Sequence, residues 1–204
     1  MRTRMTKKIA IAATLLAAAS GAAQAQESAT VIRASHVCVA CHGEGGRSTT
    51  PAIPSIAGQT REYLVAQLKD FRGQVRAETG RQGYMWGISA LLDDATIDGL
   101  AAHYAAEKPA AGKPGDPTVL SIGKAIFREG LPAKKVEPCT KCHGDTGQGN
   151  GKYPRLAGQN AEYLAIQLDE FGTALRPHAK EMRAQIQGLS PSQRRALAAY
   201  IQSL

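Results

Sequence analysis

Bulky aromatic side chains are scarce in this chain: its 204 residues hold three Phe and one Trp. Divided into domains of about 80–90 residues, a chain this poor in large apolar groups has a marginal core, of the kind that often needs help from a disulfide, a metal or a cofactor. Cysteine is equally sparse, with four in all. Strands with strict alternation of apolar and polar residues are missing, which points away from a β fold. No basic run is interleaved with aromatics and no zinc-finger spacing occurs, so nucleic acid has no recognition signal here. Past the first 25 residues, no apolar stretch is long enough to span a bilayer.

The N-terminus reads MRTRMTKKIAIAATLLAAASGAAQA. A basic head (Arg2, Arg4, Lys7, Lys8), an apolar run from Ile9 to Ala19 and the small-x-small sequence Ala23-Gln24-Ala25 have the form of a secretory signal. Cleavage after Ala25 is expected, leaving a soluble protein in the bacterial periplasm. The formal charge of +8 owes half its value to this leader: residues 26–204 keep 21 basic and 17 acidic side chains, a net +4. The balance is uneven, with −1 over residues 26–106 and +5 over 113–204.

What the chain does contain, it contains twice. CVACHGEGG faces CTKCHGDTG, PSIAGQ (54–59) faces PRLAGQ (154–159), and REYLVAQLKDF (61–71) faces AEYLAIQLDEF (161–171). Met85 faces Met182, and LAAHY (100–104) faces LAAYI (197–201). The offset drifts only from 101 to 97 along the chain. A period near a hundred residues is a duplicated small domain, not a solenoid repeat. The Pro- and Gly-rich stretch 107–116 reads as a linker, giving domains at 26–106 and 117–204. Each half looks helical. Leu64, Leu68 and Phe71, like Leu164, Leu168 and Phe171, recur at helical spacing. Thr60, Asn160 and Asp93 stand at N-cap positions, and Ser190-Pro191 with Gln193 forms a capping-box pattern.

Four readings of the cysteines compete. Disulfides suit the compartment, but two intervening residues make a tight loop. A thioredoxin-like site wants a βαβ setting that is absent. Zinc would have to draw ligands across the linker, and it leaves His42 and His143 unexplained. Covalent haem accounts for every residue: C-x-x-C-H is the attachment signature of c-type cytochromes. Cys38 and Cys41, and again Cys139 and Cys142, would hold the ring, with His42 and His143 supplying iron ligands. A second ligand is then needed on each iron. Only Met85 and Met182 remain after the leader, one per half at matched places. A lone methionine is ordinarily a flexible core filler, but this matched pair favours ligation. His36 and His103 have no such role; His178, four residues before Met182, is the one rival.

These residues resemble the dihaem cytochrome c4 family over essentially the whole chain after the leader. The resemblance implies an all-α fold of two tandem class I cytochrome c domains, each around one covalent haem c, with the haems near the domain interface. It implies His42 with Met85 and His143 with Met182 as axial pairs. It also implies that the carbonyls of Pro54 and Pro154 accept hydrogen bonds from the proximal histidines. One departure is the segment before each methionine: the family often carries an Asn-Asp-rich loop there, whereas this chain has RAETGRQGYMWG and RPHAKEMRA. A second is the short run ESATVIRASHV before the first motif. Tyr84 and Trp86, which flank Met85, are expected to shield the first haem.

Closed His–Met coordination favours electron transfer over haem catalysis. The expected function is an electron carrier, not an enzyme. It would take electrons from a quinol-oxidising complex or a periplasmic dehydrogenase and pass them to a terminal oxidase. Lys134, Lys135, Lys141 and Lys152 could steer an acidic partner, or form only a solvated face. Peripheral membrane docking is compatible with this role. The alternative is the cytochrome subunit of a periplasmic dehydrogenase, such as flavocytochrome sulfide dehydrogenase, or a dihaem enzyme such as thiosulfate dehydrogenase.

Overall fold

A computed structural model describes residues 29–80 and 82–204; the expected leader, residues 1–25, lies outside them. Nine helices of the α type are assigned among the described residues, and no β-strand, only the isolated bridges Leu131–Val136 and Asn150–Tyr153. In the first half they are α1 (29–42), α2 (Arg61–Arg72), α3 (Gln82–Ala90) and α4 (Asp94–Ala106). In the second they are α5 (Pro117–Glu129), α6 (Thr140–His143), α7 (Ala161–Glu170), α8 (Lys180–Ile186) and α9 (Pro191–Ser203). None of the described helices is long and apolar enough to cross a membrane.

In both halves the first helix crosses the last at close range. Val31 of α1 lies against Gly99 of α4, and Gly123 of α5 lies against Ala196 and Tyr200 of α9. Gly99 and Ala196 are matched positions in the duplication, so the two crossings place the missing side chain on opposite partners. The second core gathers Phe127, Leu164, Leu168, Ile186, Leu197 and Ile201; the first is smaller, built on Leu64, Leu100, Ala101 and Tyr104.

The halves differ most at their starts. In the second, α5 ends at Gly130, and residues 130–138 form a separate loop before the motif. In the first, α1 runs unbroken into Cys38, Cys41 and His42. This is the structural meaning of the short first-half N-terminus.

The caps follow the sequence in part. Asp93 accepts from Thr96 N at 2.7 Å. Ser190 and Gln193 form the full capping box, with Gln193 N donating to Ser190 Oγ at 3.3 Å and Ser190 N to Gln193 Oε1 at 2.9 Å. Ser190→Ala is expected to cost about 1 kcal/mol, read as a lower thermal midpoint of the haem-loaded protein. Thr60 and Asn160 do occupy N-cap positions, but neither side chain caps its helix. The Asn160 amide reaches across to the first half instead, donating to Thr50 O at 3.2 Å and Ile53 O at 2.9 Å.

That crossing belongs to a larger polar seam between the halves. Ser55 N donates to Gln159 Oε1 and Gln159 Nε2 returns a bond to Ser55 O, both at 2.8 Å. Reciprocally, Arg155 N donates to Gln59 Oε1 at 2.6 Å and Gln59 Nε2 to Arg155 O at 2.9 Å. Deeper in, Arg76 and Arg176 are only 4% and 5% exposed. Both guanidiniums donate to both Gln67 and Gln167. Arg76 also reaches Tyr163 and Arg176 reaches Tyr63. Each guanidinium stacks on the phenylalanine of its own half, Phe71 at 4.4 Å and Phe171 at 4.3 Å. The stretch 108–116 has no regular structure and is tied down at Lys113, whose N–H donates to Gln202 O at 2.9 Å.

Candidate functional site

Each C-x-x-C-H motif lies at the end of a helical segment, α1 in the first half and α6 in the second. Helical geometry puts the cysteines three apart on neighbouring turns and delivers the histidine directly after. Gly43 and Gly144 then stop the helix with positive φ, 77° and 81°. A β-carbon at Gly43 would run into Arg47 O, so only glycine turns the chain here. The turn brings the following loop back over the motif. Ile56 and Ala57 donate to Gly46 O, and Leu156 and Ala157 donate to Gly147 O.

This return places a proline carbonyl on each histidine. His42 Nδ1 lies 2.8 Å from Pro54 O, and His143 Nδ1 lies 2.9 Å from Pro154 O. A carbonyl oxygen only accepts, so Nδ1 carries the proton in both rings. Nε2 keeps its lone pair and is the ligating atom of a neutral imidazole. Burial pushes both rings below the usual histidine range, against a smaller opposing pull from each proline carbonyl. They are therefore neutral near pH 7, as a metal ligand must be.

None of the four cysteines is in a disulfide. Burial raises the Cys38 thiol above its ordinary range and pushes Cys139 up to about 11. The pairs stay apart, and among the described residues no cluster of three or more His, Cys, Asp or Glu comes together as a metal cage. Two free thiols beside one neutral imidazole, repeated, make a donor set that fits covalent haem: thiols to form thioether bonds and a nitrogen to reach iron.

Met85 sits on α3 and Met182 on α8, at equivalent places, each half-buried and directly before the terminal helix of its half. Met182 packs against the second core. The rival ligand is engaged elsewhere: His178 Nδ1 lies 3.0 Å from Asp70 Oδ1, across the seam and exposed. His36 is exposed, and His103 packs edge-on against Tyr104 with ring centroids 4.9 Å apart. The residues flanking Met85 point different ways. Trp86 is half-buried and donates to Arg76 O at 2.7 Å, while Tyr84 is exposed. Of the four lysines, Lys141 pairs with Glu137 at 2.9 Å and Lys152 with Glu181 at 3.1 Å. Half of that basic patch is thus neutralised locally.

The seam was not anticipated from the sequence, although its residues stand in the repeated segments. Tyr63 with Gln67, and Tyr163 with Gln167, are polar members of the two EYL-x-x-QL stretches, beside Glu62 and Glu162.

The family model for cytochrome c matches residues 121–204. Cytochrome c-552 of Acidithiobacillus ferridurans is 37% identical over 188 residues, covering 91% of this chain and 81% of its own length. Cytochrome c4 of Azotobacter vinelandii is 35% identical over 178 residues, covering 82% and 84%. The solved cytochrome c4 of Acidithiobacillus ferrooxidans superposes with a TM-score of 0.76 at 37% identity, over 82% of this chain and 98% of that one. A thiosulfate dehydrogenase (TsdBA) from Marichromatium purpuratum gives a TM-score of 0.71 at 31% identity, over 82% of this chain but 36% of that longer one.

Proposed function

This chain belongs to the cytochrome c4 family, an all-α electron-transfer protein of two tandem cytochrome c domains with covalently bound haem c, and we propose that it carries electrons through the periplasm from a quinol-oxidising complex or a dehydrogenase to a terminal oxidase. The domains are 26–106 and 117–204, joined by 107–116. Cys38 and Cys41 attach one haem and Cys139 and Cys142 the other. His42 with Met85, and His143 with Met182, would supply the iron ligands. The carbonyls of Pro54 and Pro154 fix the histidine tautomer and ring orientation. Haem held by these residues would supply one-electron chemistry. The protein's own part is to hold a neutral imidazole and a thioether in place, so that no open iron position is left for oxygen or peroxide.

The observation that carries this reading is the twofold occurrence of one arrangement. In each half a free cysteine pair stands beside a buried neutral histidine whose Nδ1 is held at 2.8 or 2.9 Å by a proline carbonyl. A second reading, service as the electron acceptor of a thiosulfate dehydrogenase, is supported by a relative of that description in Thiomonas intermedia, 35% identical over 136 residues.

The test is the ferric absorption spectrum with haem stoichiometry, before and after cyanide. Two low-spin haems per chain, with the far-red methionine–iron band and slow cyanide binding, are expected. Met85→Ala and Met182→Ala should each abolish half of that band. A high-spin iron that takes cyanide at once in the unmodified protein would overturn the carrier assignment.

A further inference from the structure

The duplication supplies an internal control for every surface of the molecule, and one surface fails to match. In α8 and the turn after it, the inward row is Met182, Ile186 and Leu189, and the row beside it is Glu181, Gln185 and Gly188. In α3 and the turn after it, the inward row is Met85, Ser89 and Leu92, and the row beside it is Tyr84, Ile88 and Leu91. These rows follow i, i+4, i+7 spacing along one helix face.

In the second half the outer row is not apolar: Glu181 is exposed and paired with Lys152, while Gln185 and Gly188 are partly covered. Glu137 N donates to Gln185 Oε1 at 2.8 Å, and Gly188 lies against the Val136 side chain and Lys134 O. The cover is the loop 130–138, whose Val136 is buried in the core. In the first half no such loop occurs among the described residues, since α1 runs straight into the motif. The outer row there is apolar and open: Tyr84 is 74% exposed, Ile88 38% and Leu91 90%. Loss of a covering loop should favour polar replacements at the uncovered positions. Instead Gln185 corresponds to Ile88 and Gly188 to Leu91.

We infer that Tyr84, Ile88 and Leu91 form the docking face for a protein electron partner, which lays an uncharged apolar loop over them as Val136 does over Gly188. The inference rests on the electron-carrier reading above. Three observations select this occupant. Residues 82–92 hold no charged side chain, so the complementary face is uncharged as well. The positions equivalent to Ile88 and Leu91 are covered by a protein loop in the sister half. The row lies on the helix that carries Met85, so a partner seated there meets the first domain beside its candidate axial ligand. Docking here is apolar, and its rate is nearly independent of salt, unlike steering by Lys134 and Lys135.

The experiment compares haem-loaded wild type with Ile88→Gln/Leu91→Gln. Both positions are exposed, so the fold is retained, and the far-red methionine band checks this. Oxidation of each reduced protein is followed with ferricyanide and with a detergent-solubilised terminal oxidase, at low and high ionic strength. The expected result is an unchanged ferricyanide rate and an oxidase rate lowered about tenfold or more at both salt concentrations. Val119→Gln/Ile122→Gln, on the exposed apolar side of α5, should leave both rates unchanged. An oxidase rate equal to wild type overturns the docking face while leaving the carrier role standing. A wild type that reduces ferricyanide but not the oxidase refutes transfer to that acceptor, and the docking face falls with it. A wild-type dimer by sedimentation, or binding to anionic lipid vesicles, that the variant abolishes would reassign the row to self-association or to the membrane and overturn the proposal.

Discussion

Arg76→Leu should destabilise the haem-loaded protein by about 3–5 kcal/mol, the range for breaking a buried charge network, and clearly more than Arg176→Leu. Both guanidiniums are buried, and both serve Gln67 and Gln167. The difference lies in the counter-ion. Arg76 Nη2 lies 2.7 Å from Glu78 Oε1, while among the described residues no carboxylate pairs directly with Arg176. Burial acts against the charge on Arg76, but Tyr163, Tyr63 and Glu78 outweigh it and hold the group firmly protonated. Removing Arg76 leaves the Glu78 carboxylate without its ion-pair partner and takes one donor each from Gln67, Gln167 and Tyr163. Removing Arg176 takes away one of two like charges and leaves a compensated pair. Denaturant unfolding of the two variants decides the matter: equal losses, or a larger loss at Arg176, would show that Glu78 is not the organising charge.

Gly123→Ala is expected to cost about 2–3 kcal/mol, because overpacking a tight contact outweighs the gain in helix propensity. A β-carbon there would collide with Ala196 O and stand 2.6 Å from Tyr200 Cβ. A backbone carbonyl inside a helix cannot turn aside, so α5 and α9 must separate. Gly99→Ala meets only the tip of the Val31 side chain at its closest contact, and a rotamer change can absorb that. Its expected effect lies within about 1 kcal/mol of zero. Thermal unfolding separates the two. A Gly99 variant as damaged as the Gly123 variant would refute the view that the obstructing group decides the outcome.

Much of the molecule was legible because its signals were local. The helical spacing of Leu64, Leu68 and Phe71, the Ser190 box and the Asp93 cap all act within one or two turns, and each appears as expected. The C-x-x-C-H spacing is local in the same sense. Thr60 and Asn160 show where locality ends: both sit at N-caps, yet Asn160 spends its amide on the other half. The seam was hidden for that reason. Gln59 and Gln159 stand in a repeated motif, but nothing within the motif says that each bonds to the other half. RAETGRQGYMWG and RPHAKEMRA were notable for the Asn-Asp-rich loop they lack. Their first residues are Arg76 and Arg176, exactly matched across the duplication, and a matched buried charge is visible only once the fold brings the two together. The apolar row on α3 was also out of reach, since Tyr84 could be assigned inward or outward until the helix fixed its face.

The reciprocal bonds of Gln59 and Gln159 have a consequence for assembly. Each half offers the other the same donors and acceptors, which is the rule of an isologous interface: residue i meets j, and j meets i, about a twofold axis. Such a face is self-complementary. A single domain bearing it could close on its own copy as a homodimer, with no tether at all. A tether between two such faces acts chiefly by raising the effective concentration of one near the other. Fusion also frees the copies to diverge, and two subunits of a true homodimer could never have acquired a covered helix on one side and an open one on the other.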